Sequence, residues 1–104
     1  MEQYRVDVSE VAENDLNDIV FYITSQFSAS VTALHMMTLL EEAMASLAEM
    51  PRRFSLLNDE RLSQMSYRKL AVKNYLVFFS IDEQNKVVDV ERILYARRDW
   101  LRIL

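Results

Sequence analysis

The chain has 104 residues, of which 51% are hydrophobic and 27% charged, and its formal net charge is −4 at pH 7. This length and balance predict one globular domain spanning residues 1–104 and exclude a disordered chain. Because the sequence contains neither cysteine nor glycine, it also excludes disulfide frameworks, thiolate chemistry and glycine-rich phosphate loops.

The charge is divided unevenly along the chain. Residues 1–50 include one basic and nine acidic residues, whereas residues 51–104 include eleven basic and seven acidic ones, giving −8 and +4. A basic half can face an acidic partner or nucleic acid, or the two halves can attract each other within the fold. The sequence leaves both interpretations open.

The first residues predict a strand rather than a targeting segment. Charges at Glu2, Arg5 and Asp7 are unlike a secretory signal, and no apolar run approaches the ~20 residues of a membrane-spanning helix. We therefore expect a cytoplasmic protein that does not enter a membrane. Residues 4–8 alternate apolar and polar with period two, which predicts a half-buried first strand.

Two helices are predicted next, joined by a short break at residues 27–30. The first covers residues 10–26, with Ser9 as its N-cap. The apolar stripe of this helix consists of Ala12, Leu16, Ile19 and Ile23. Ser28 or Ser30 would cap the second helix, which should end near Met50 because Pro51 cannot continue it. The apolar stripe of the second helix consists of Ala33, Met37, Leu40, Met44 and Leu47.

Strand patterns dominate the rest of the chain. Strands are predicted at residues 67–72, 75–81 and 86–95, with a possible short strand at 54–57. Residues 75–81 are apolar at both parities, which predicts a central strand buried on both faces. In the last strand Val88, Val90 and Leu94 should share one face. Without glycine, turns that need a positive φ should use Asn or Asp, as at Asn74.

The predicted order is β-α-α-β-β-β, with one extra short strand possible. This order predicts an α+β fold of two layers, in which the N-terminal helical hairpin packs on one face of a largely antiparallel sheet. The first strand should return to the sheet beside the last one. The tail, residues 97–104, should add a helical turn around Trp100.

Several segments resemble the RelE/ParE toxins of type II toxin–antitoxin systems. The resemblance lies in VSEVAENDLNDI at residues 8–19, LAEMP at 47–51, YRKL at 67–70 and VDVERILYARRDW at 88–100. The tail, with Arg97 and Arg98 and an end soon after, is more similar to ParE than to RelE. The resemblance implies the RelE-like two-layer fold, no cofactor, a cognate antitoxin as partner and DNA gyrase as the target.

The apolar and basic tail contains the residues that we expect to contact the target or to be covered by an antitoxin. They are Arg97, Arg98, Trp100 and Leu101. The alternative is that the apolar residues of the tail only pack on the edge of the sheet.

A RelE-type toxin would instead cleave mRNA in the ribosome, and Arg68, Arg92 and Arg98 are then the candidate catalytic cations. RelE-type enzymes also use a tyrosine or histidine near the C-terminus. Here no tyrosine follows Tyr95, for which packing is the simpler role, and His35 lies in the middle of the second helix. An inactive family member is the third possibility.

Arg92 has a structural interpretation as well. It shares strand parity with Val88 and Val90, which should face the helices, and a charge there needs a partner. Asp15 of the first helix is the predicted partner, against the alternative that Arg92 contacts a ligand. With one histidine and no cysteine, we predict no metal site.

Overall fold

Four strands and a helical hairpin form two layers in the computed structural model, which describes residues 3–27, 29–57 and 59–104. The elements are, in chain order, β1 (Arg5–Val8), α1 (Glu10–Phe27), α2 (Ser30–Ala45), α3 (Glu60–Gln64), β2 (Arg68–Val72), β3 (Tyr75–Asp82), β4 (Val87–Tyr95) and α4 (Trp100–Ile103). The predicted α+β class and the helical hairpin on one face of the sheet are therefore confirmed. No helix within the described ranges is long and apolar enough to cross a membrane.

The sheet has the strand order β1-β4-β3-β2. β2, β3 and β4 form an antiparallel meander, and β1 lies parallel to β4 at the edge. The prediction that the first strand returns beside the last is confirmed. A parallel neighbour requires a crossover, and here the helical hairpin belongs to the long connection that makes it.

Ser9 joins β1 to α1, and its position as N-cap is confirmed. Its Oγ accepts the backbone N–H of Ala12 at 2.9 Å and donates to the carbonyl of Glu91 at 3.0 Å. Its backbone N–H donates to the carbonyl of Val90. One serine therefore caps α1 and ties the start of that helix to β4.

The second helix differs from its prediction at both ends. Its N-cap position is held by Ala29, which makes no side-chain cap bond, and Ser30 is already helical; Ser28 lies outside the described residues. The helix ends at Ala45 rather than near Met50 and continues as one turn of 3₁₀ helix, Ser46–Ala48. The carbonyl of Ala48 accepts the N–H of Tyr4, so pairing with the N-terminal segment replaces the last helical turn.

The segment between α2 and β2 was predicted to be irregular and holds a helix instead of the possible strand. Residues 54–57 form no strand; within the described ranges they make a single isolated β-bridge, between Leu56 and Arg68. The short helix α3 follows at Glu60–Gln64. A five-residue helix carries too few apolar positions for periodicity to reveal it.

The sheet is packed on both faces. Between the sheet and the helical hairpin lies the larger core, which includes Leu40, Val77, Phe79, Val88 and Ile93, all nearly inaccessible. On the opposite face, called the second face below, a smaller cluster forms beneath α4. It consists of Leu57, Leu76, Phe78 and Leu94. Burial of β3 on both faces is thus confirmed.

A bulge at Glu91 reverses the face assignment in the second half of β4. Phe78 lies opposite Arg92, whereas Phe79 lies opposite Val90, so Glu91 is the extra residue. Leu94 therefore packs on the second face, and its predicted grouping with Val88 and Val90 is wrong. The prediction that Arg92 shares a face with Val88 and Val90 is wrong for the same reason. One inserted residue moves every later side chain of the strand to the opposite face of the sheet.

The turns use residues other than those expected from a glycine-free sequence. Among the described residues, positive φ occurs at Met50, Ser66, Lys73 and Lys86. Asn74, predicted for this role, instead uses its carbonyl to accept the N–H of Ala96 at 2.8 Å. In the hairpin between β2 and β3, Lys73 therefore adopts the left-handed conformation, although asparagine tolerates a positive φ better than lysine does.

Replacing Lys73 by glycine should raise the free energy of unfolding by about 0.5–1 kcal/mol, because glycine removes the clash of Cβ at positive φ. Lys73→Ala is the control, since it keeps Cβ and should give no gain. Denaturant unfolding of both variants measures the difference. An equal effect of glycine and alanine would contradict strain at this position.

Candidate functional site

Asp15 and Arg92 form the most buried ion pair among the described residues. The Nε and Nη2 atoms of Arg92 donate to the two carboxylate oxygens of Asp15 at 2.8 and 2.9 Å. The side chains are 11% exposed for Asp15 and 25% for Arg92. This two-point contact fixes both groups, and the structure brings together the two residues that the sequence paired.

The position of Asp15 is explained by the end of β1. β1 pairs with β4 only as far as Val90, so the next part of β4 has a strand, β3, on one side only. There Asp15 accepts the backbone N–H of Ile93 at 3.0 Å. The carboxylate therefore takes the place of a missing strand partner while it neutralises Arg92. This makes the pair part of the scaffold, not a free binding site.

The tail folds back over the second face of the sheet. The ring centroids of Trp100 and Phe78 lie 5.3 Å apart, and Lys69 Nζ lies 5.3 Å from the indole centroid of Trp100. The guanidinium of Arg61 donates to the carbonyl of Leu101 at 2.7 Å. These contacts attach α4 to β2, β3 and α3. Trp100 is half-buried, which agrees with the packing alternative for this residue.

The other three candidate target-binding residues are exposed. Arg97, Arg98 and Leu101 all face solvent, and Leu101 is 41% accessible. Beside α4 opens a pocket of about 700 Å³ that is lined in part by Leu56, Lys69, Trp100 and Leu101. The tail therefore presents two exposed arginines and, at Leu101, contributes to a pocket of mixed polar and apolar lining. Exposed arginine and aromatic side chains of this kind are common in protein interfaces.

The arginines expected for RNA cleavage are not brought together. Arg68 lies opposite Phe79 in the sheet and donates to the carbonyl of Phe54. Arg92 is held by Asp15. Arg98 follows the end of β4 at Tyr95. That end lies about four residues, or roughly 13 Å, along the sheet from the level of Arg68. Three cations so dispersed cannot surround one phosphate group.

Proton-transfer groups also lie near one another, at Ser80 of β3, Glu91 of β4 and Tyr67 just before β2, and no sequence pattern pointed to them. Burial raises the pKa of Glu91 above its ordinary value, and the neighbouring Asp89 adds to the effect. The hydroxyl of Ser80 is 3.4 Å from Glu91 Oε1. Burial also raises the pKa of Tyr67, with a smaller contribution from Glu91. Glu91 is the bulged residue of β4, and no local sequence pattern predicts that bulge or the proximity of Glu91 to Ser80 and Tyr67.

Glu91→Gln should stabilise the protein at pH 7. A folded-state pKa above the unfolded one means that ionised Glu91 is disfavoured in the folded protein, so stability is lost as pH rises past the ordinary glutamate value. The gain of the variant should therefore vanish as pH falls below about 4.5. Thermal unfolding against pH measures this, with the exposed Asp18→Asn as control. A gain that persists at low pH would contradict a titration effect.

A groove of about 620 Å³ opens between the two layers near the α1–α2 connection. We call it the interlayer groove; its lining includes Ile19 and Tyr22 of α1, Met36 of α2, and Tyr75 and Tyr95 at the ends of β3 and β4. The rings of Tyr75 and Tyr95 pack edge to face with their centroids 5.8 Å apart. Burial, followed by Tyr95 and Tyr22, raises the pKa of Tyr75. Residues so distant in sequence gave no signal of this groove.

The described residues show no built metal site and no catalytic histidine. They include no group of three His, Asp or Glu side chains arranged to hold a metal ion. His35 is exposed on α2, and Tyr95 lies in the interlayer groove against Tyr75.

Comparisons with known proteins give one family and one fold. The family model described as "ParE toxin of type II toxin-antitoxin system, parDE" matches residues 6–100. A structure of the chromosomal ParDE system from P. aeruginosa is similar with a TM-score of 0.75 at 15% identity, covering 91% of this chain and 98% of that one. No curated protein sequence matches.

Two further structures share the fold. The toxin–antitoxin complex RelBE2 from Mycobacterium tuberculosis gives a TM-score of 0.62 at 19% identity, covering 89% of this chain and 98% of that one. A free double mutant of the E. coli toxin RelE gives 0.63 at 15% identity, covering 97% and 92%. At these identities the likeness concerns the fold and leaves the target open.

Proposed function

Since this chain belongs to the family of ParE toxins of type II toxin–antitoxin systems, we propose that it arrests growth by binding DNA gyrase in the cytoplasm. A cognate antitoxin neutralises it. The toxin acts by occupying its target and breaks no bond of its own.

The tail is the observation that supports this proposal most. Arg97, Arg98 and Leu101 are exposed in one short segment, beside the pocket that Trp100 and Lys69 help to line. Arginine and aromatic side chains are the usual anchors of a protein interface. Because Trp100 packs on Phe78, the segment is held in place before its target arrives, which lowers the entropy lost on binding.

RNA cleavage by a RelE-type mechanism has less support. It needs several cations around one phosphate and a base in reach of the 2′-hydroxyl. Arg68 and Arg92 each have another partner, and Arg98 lies at the other end of the sheet. The net charge of −4 also opposes binding to ribosomal RNA. Glu91 and Tyr67 are the proton-transfer groups that this alternative would have to use.

An antitoxin partner is supported by the kind of structures that the chain resembles. Two of them are a ParDE system and a RelBE2 toxin–antitoxin complex. Antitoxin segments that order on binding dock onto apolar helix faces and sheet edges. The helical hairpin and the interlayer groove are surfaces of that kind here.

Induction of the chain alone in bacteria tests the proposal. We expect growth arrest with intact mRNA and altered plasmid supercoiling, and recovery when the antitoxin is expressed as well. The control is the same vector with a stop codon early in the reading frame. Arrest with fragmented mRNA and normal supercoiling would favour the RelE-type alternative, and normal growth would favour an inactive family member.

A further inference from the structure

We propose that the pocket beside α4, lined in part by Leu56, Lys69, Trp100 and Leu101 and called the tail pocket below, receives an acidic residue of DNA gyrase together with an adjoining apolar residue. Lys69 binds the carboxylate, and Leu56 and Leu101 contact the apolar side chain. The inference rests on the proposed function, because it names the chemistry of the gyrase segment that the toxin recognises. It also adds two contact residues, Leu56 and Lys69, that lie outside the tail.

Lys69 is an exposed cation that is held against the tail. Its Nζ atom lies 5.3 Å from the centroid of the Trp100 indole, and its backbone is fixed in β2 opposite Phe78. Within residues 3–27, 29–57 and 59–104 it forms no salt bridge. Attraction to an aromatic ring orients an ammonium group without using up its three N–H donors. Lys69 is therefore positioned at the pocket and still able to bind a carboxylate.

The lining also includes apolar side chains that are open to solvent. Leu56, in the segment before α3, is 44% exposed, and Leu101 of α4 is 41% exposed. Trp100 is held by its contact with Phe78, so this part of the pocket is formed before a partner arrives. A volume of about 700 Å³ lies in the range of sites that enclose a ligand rather than a single side chain. The pocket can therefore take an apolar residue together with its acidic neighbour.

The charged residues of the lining determine which charge the partner must carry. In the part of the chain that the structure describes, they are Asp59 and Lys69. Asp59 is half-buried and already interacts with another group of the protein, whereas Lys69 is exposed and has no carboxylate partner. A carboxylate of the partner is therefore attracted to Lys69, and a basic residue would meet its positive charge.

Cations around the tail pocket favour the same kind of partner. Arg61 is exposed and donates to the carbonyl of Leu101 at 2.7 Å, and Arg97 is exposed at the start of the tail. Exposed Arg102 of α4 is 3.9 Å from Asp99. A positive surface attracts an acidic protein segment and speeds its association. Nucleic acid fits less well, because its affinity depends mainly on phosphate contacts and the net charge of the chain is −4.

The experiment measures the affinity of the purified chain for purified DNA gyrase by biolayer interferometry. Lys69→Glu and Leu56→Ser should each weaken binding about tenfold or more, whereas Lys69→Arg, which keeps the charge, should change it less than about threefold. The matched control is Lys73→Glu, because it makes the same charge change on an exposed lysine that does not line the tail pocket. It should also change the affinity less than about threefold. Circular dichroism confirms that each variant is folded.

The salt dependence of binding tests the ion pair separately. The affinity of the wild-type chain should fall as salt rises, and that of Lys69→Gln should fall less steeply, because one ion pair with gyrase is missing. Equal salt dependence of the two would overturn the role of Lys69.

Failure of the tail pocket and failure of the gyrase proposal give different results. Equal weakening by Lys69→Glu and Lys73→Glu would overturn the inference and leave gyrase as the target. Weakening by Lys69→Glu without any effect of Leu56→Ser would overturn the apolar part of the recognition. If the wild-type chain did not bind gyrase at all, the inference and the proposed function would both be overturned.

Discussion

Replacing Asp15 by alanine should lower the free energy of unfolding by about 3 kcal/mol, the low end for loss of one member of a buried ion pair. The substitution leaves the guanidinium of Arg92 without its carboxylate and the N–H of Ile93 without its acceptor. Asp15→Asn keeps one carbonyl oxygen for that N–H and should cost about half as much. Urea unfolding measures both values.

A double-mutant cycle with Arg92→Ala isolates the pair. The coupling energy should exceed about 1 kcal/mol, since removal of both partly buried charges leaves neither one unpaired. Asp18→Ala, on the same helix but exposed, is the control and should change stability by less than about 0.5 kcal/mol. Additive effects of Asp15→Ala and Arg92→Ala would show that the contact contributes nothing as a pair.

The double substitution Arg97→Ala, Arg98→Ala should weaken gyrase inhibition about 100-fold. The proposal makes both arginines interface hot spots, for which truncation costs above about 1 kcal/mol each, and about 1.4 kcal/mol is tenfold in affinity. Both side chains are exposed, and the bond from Arg98 to Tyr95 uses the backbone N–H, so the fold should be unaffected. The measurement is the concentration of toxin that half-inhibits supercoiling.

Arg5→Ala is the matched control for the tail variants. It removes one positive charge, half of what the double substitution removes, from an exposed position at the opposite end of the sheet, since Arg5 lies beside Val87 at the start of β4. It should leave inhibition within about twofold, because a charge change far from an interface alters affinity little in salt. If Arg5→Ala weakened inhibition as much as the tail variants, general charge and not the tail would be responsible.

Local patterns predicted much of this fold because they coincide with the final packing. Residues 75–81 are apolar at both parities, and both faces of β3 are in fact covered. Ser9 combines a capping side chain with the start of an apolar period, and it caps α1. These are cases in which propensity, pattern and tertiary contacts agree.

The incorrect predictions have a common cause, which is tertiary context. The bulge at Glu91 follows from how β3 and β4 align and cannot be read from β4 alone. The early end of α2 follows from the bond between Tyr4 and Ala48. Lys73 accepts a left-handed conformation because the hairpin around it is closed. Each is a local preference overruled by a distant contact.

In the candidate site, too, some features follow from local sequence and others only from tertiary contacts. A regular β4 places Arg92 on the same face as Val88 and Val90, which predicts its pairing with Asp15, but the bulge moves Arg92 off that face. The pair forms because β1 ends at Val8 and leaves the edge of β4 beside α1. Arg97 and Arg98 are adjacent in sequence and both are exposed, and their role in target binding stays a prediction. The interlayer groove was not predictable, because Tyr22, Tyr75 and Asp18 meet at it only through the fold.

A supercoiling assay with purified gyrase and the purified chain tests the central claim most directly. Cleavage of mRNA on translating ribosomes is followed in parallel with the same preparation. We predict dose-dependent loss of supercoiling, reversal by the antitoxin and intact mRNA. Unchanged gyrase activity together with ribosome-dependent cleavage of mRNA would contradict the claim and place the chain with toxins of the RelE type.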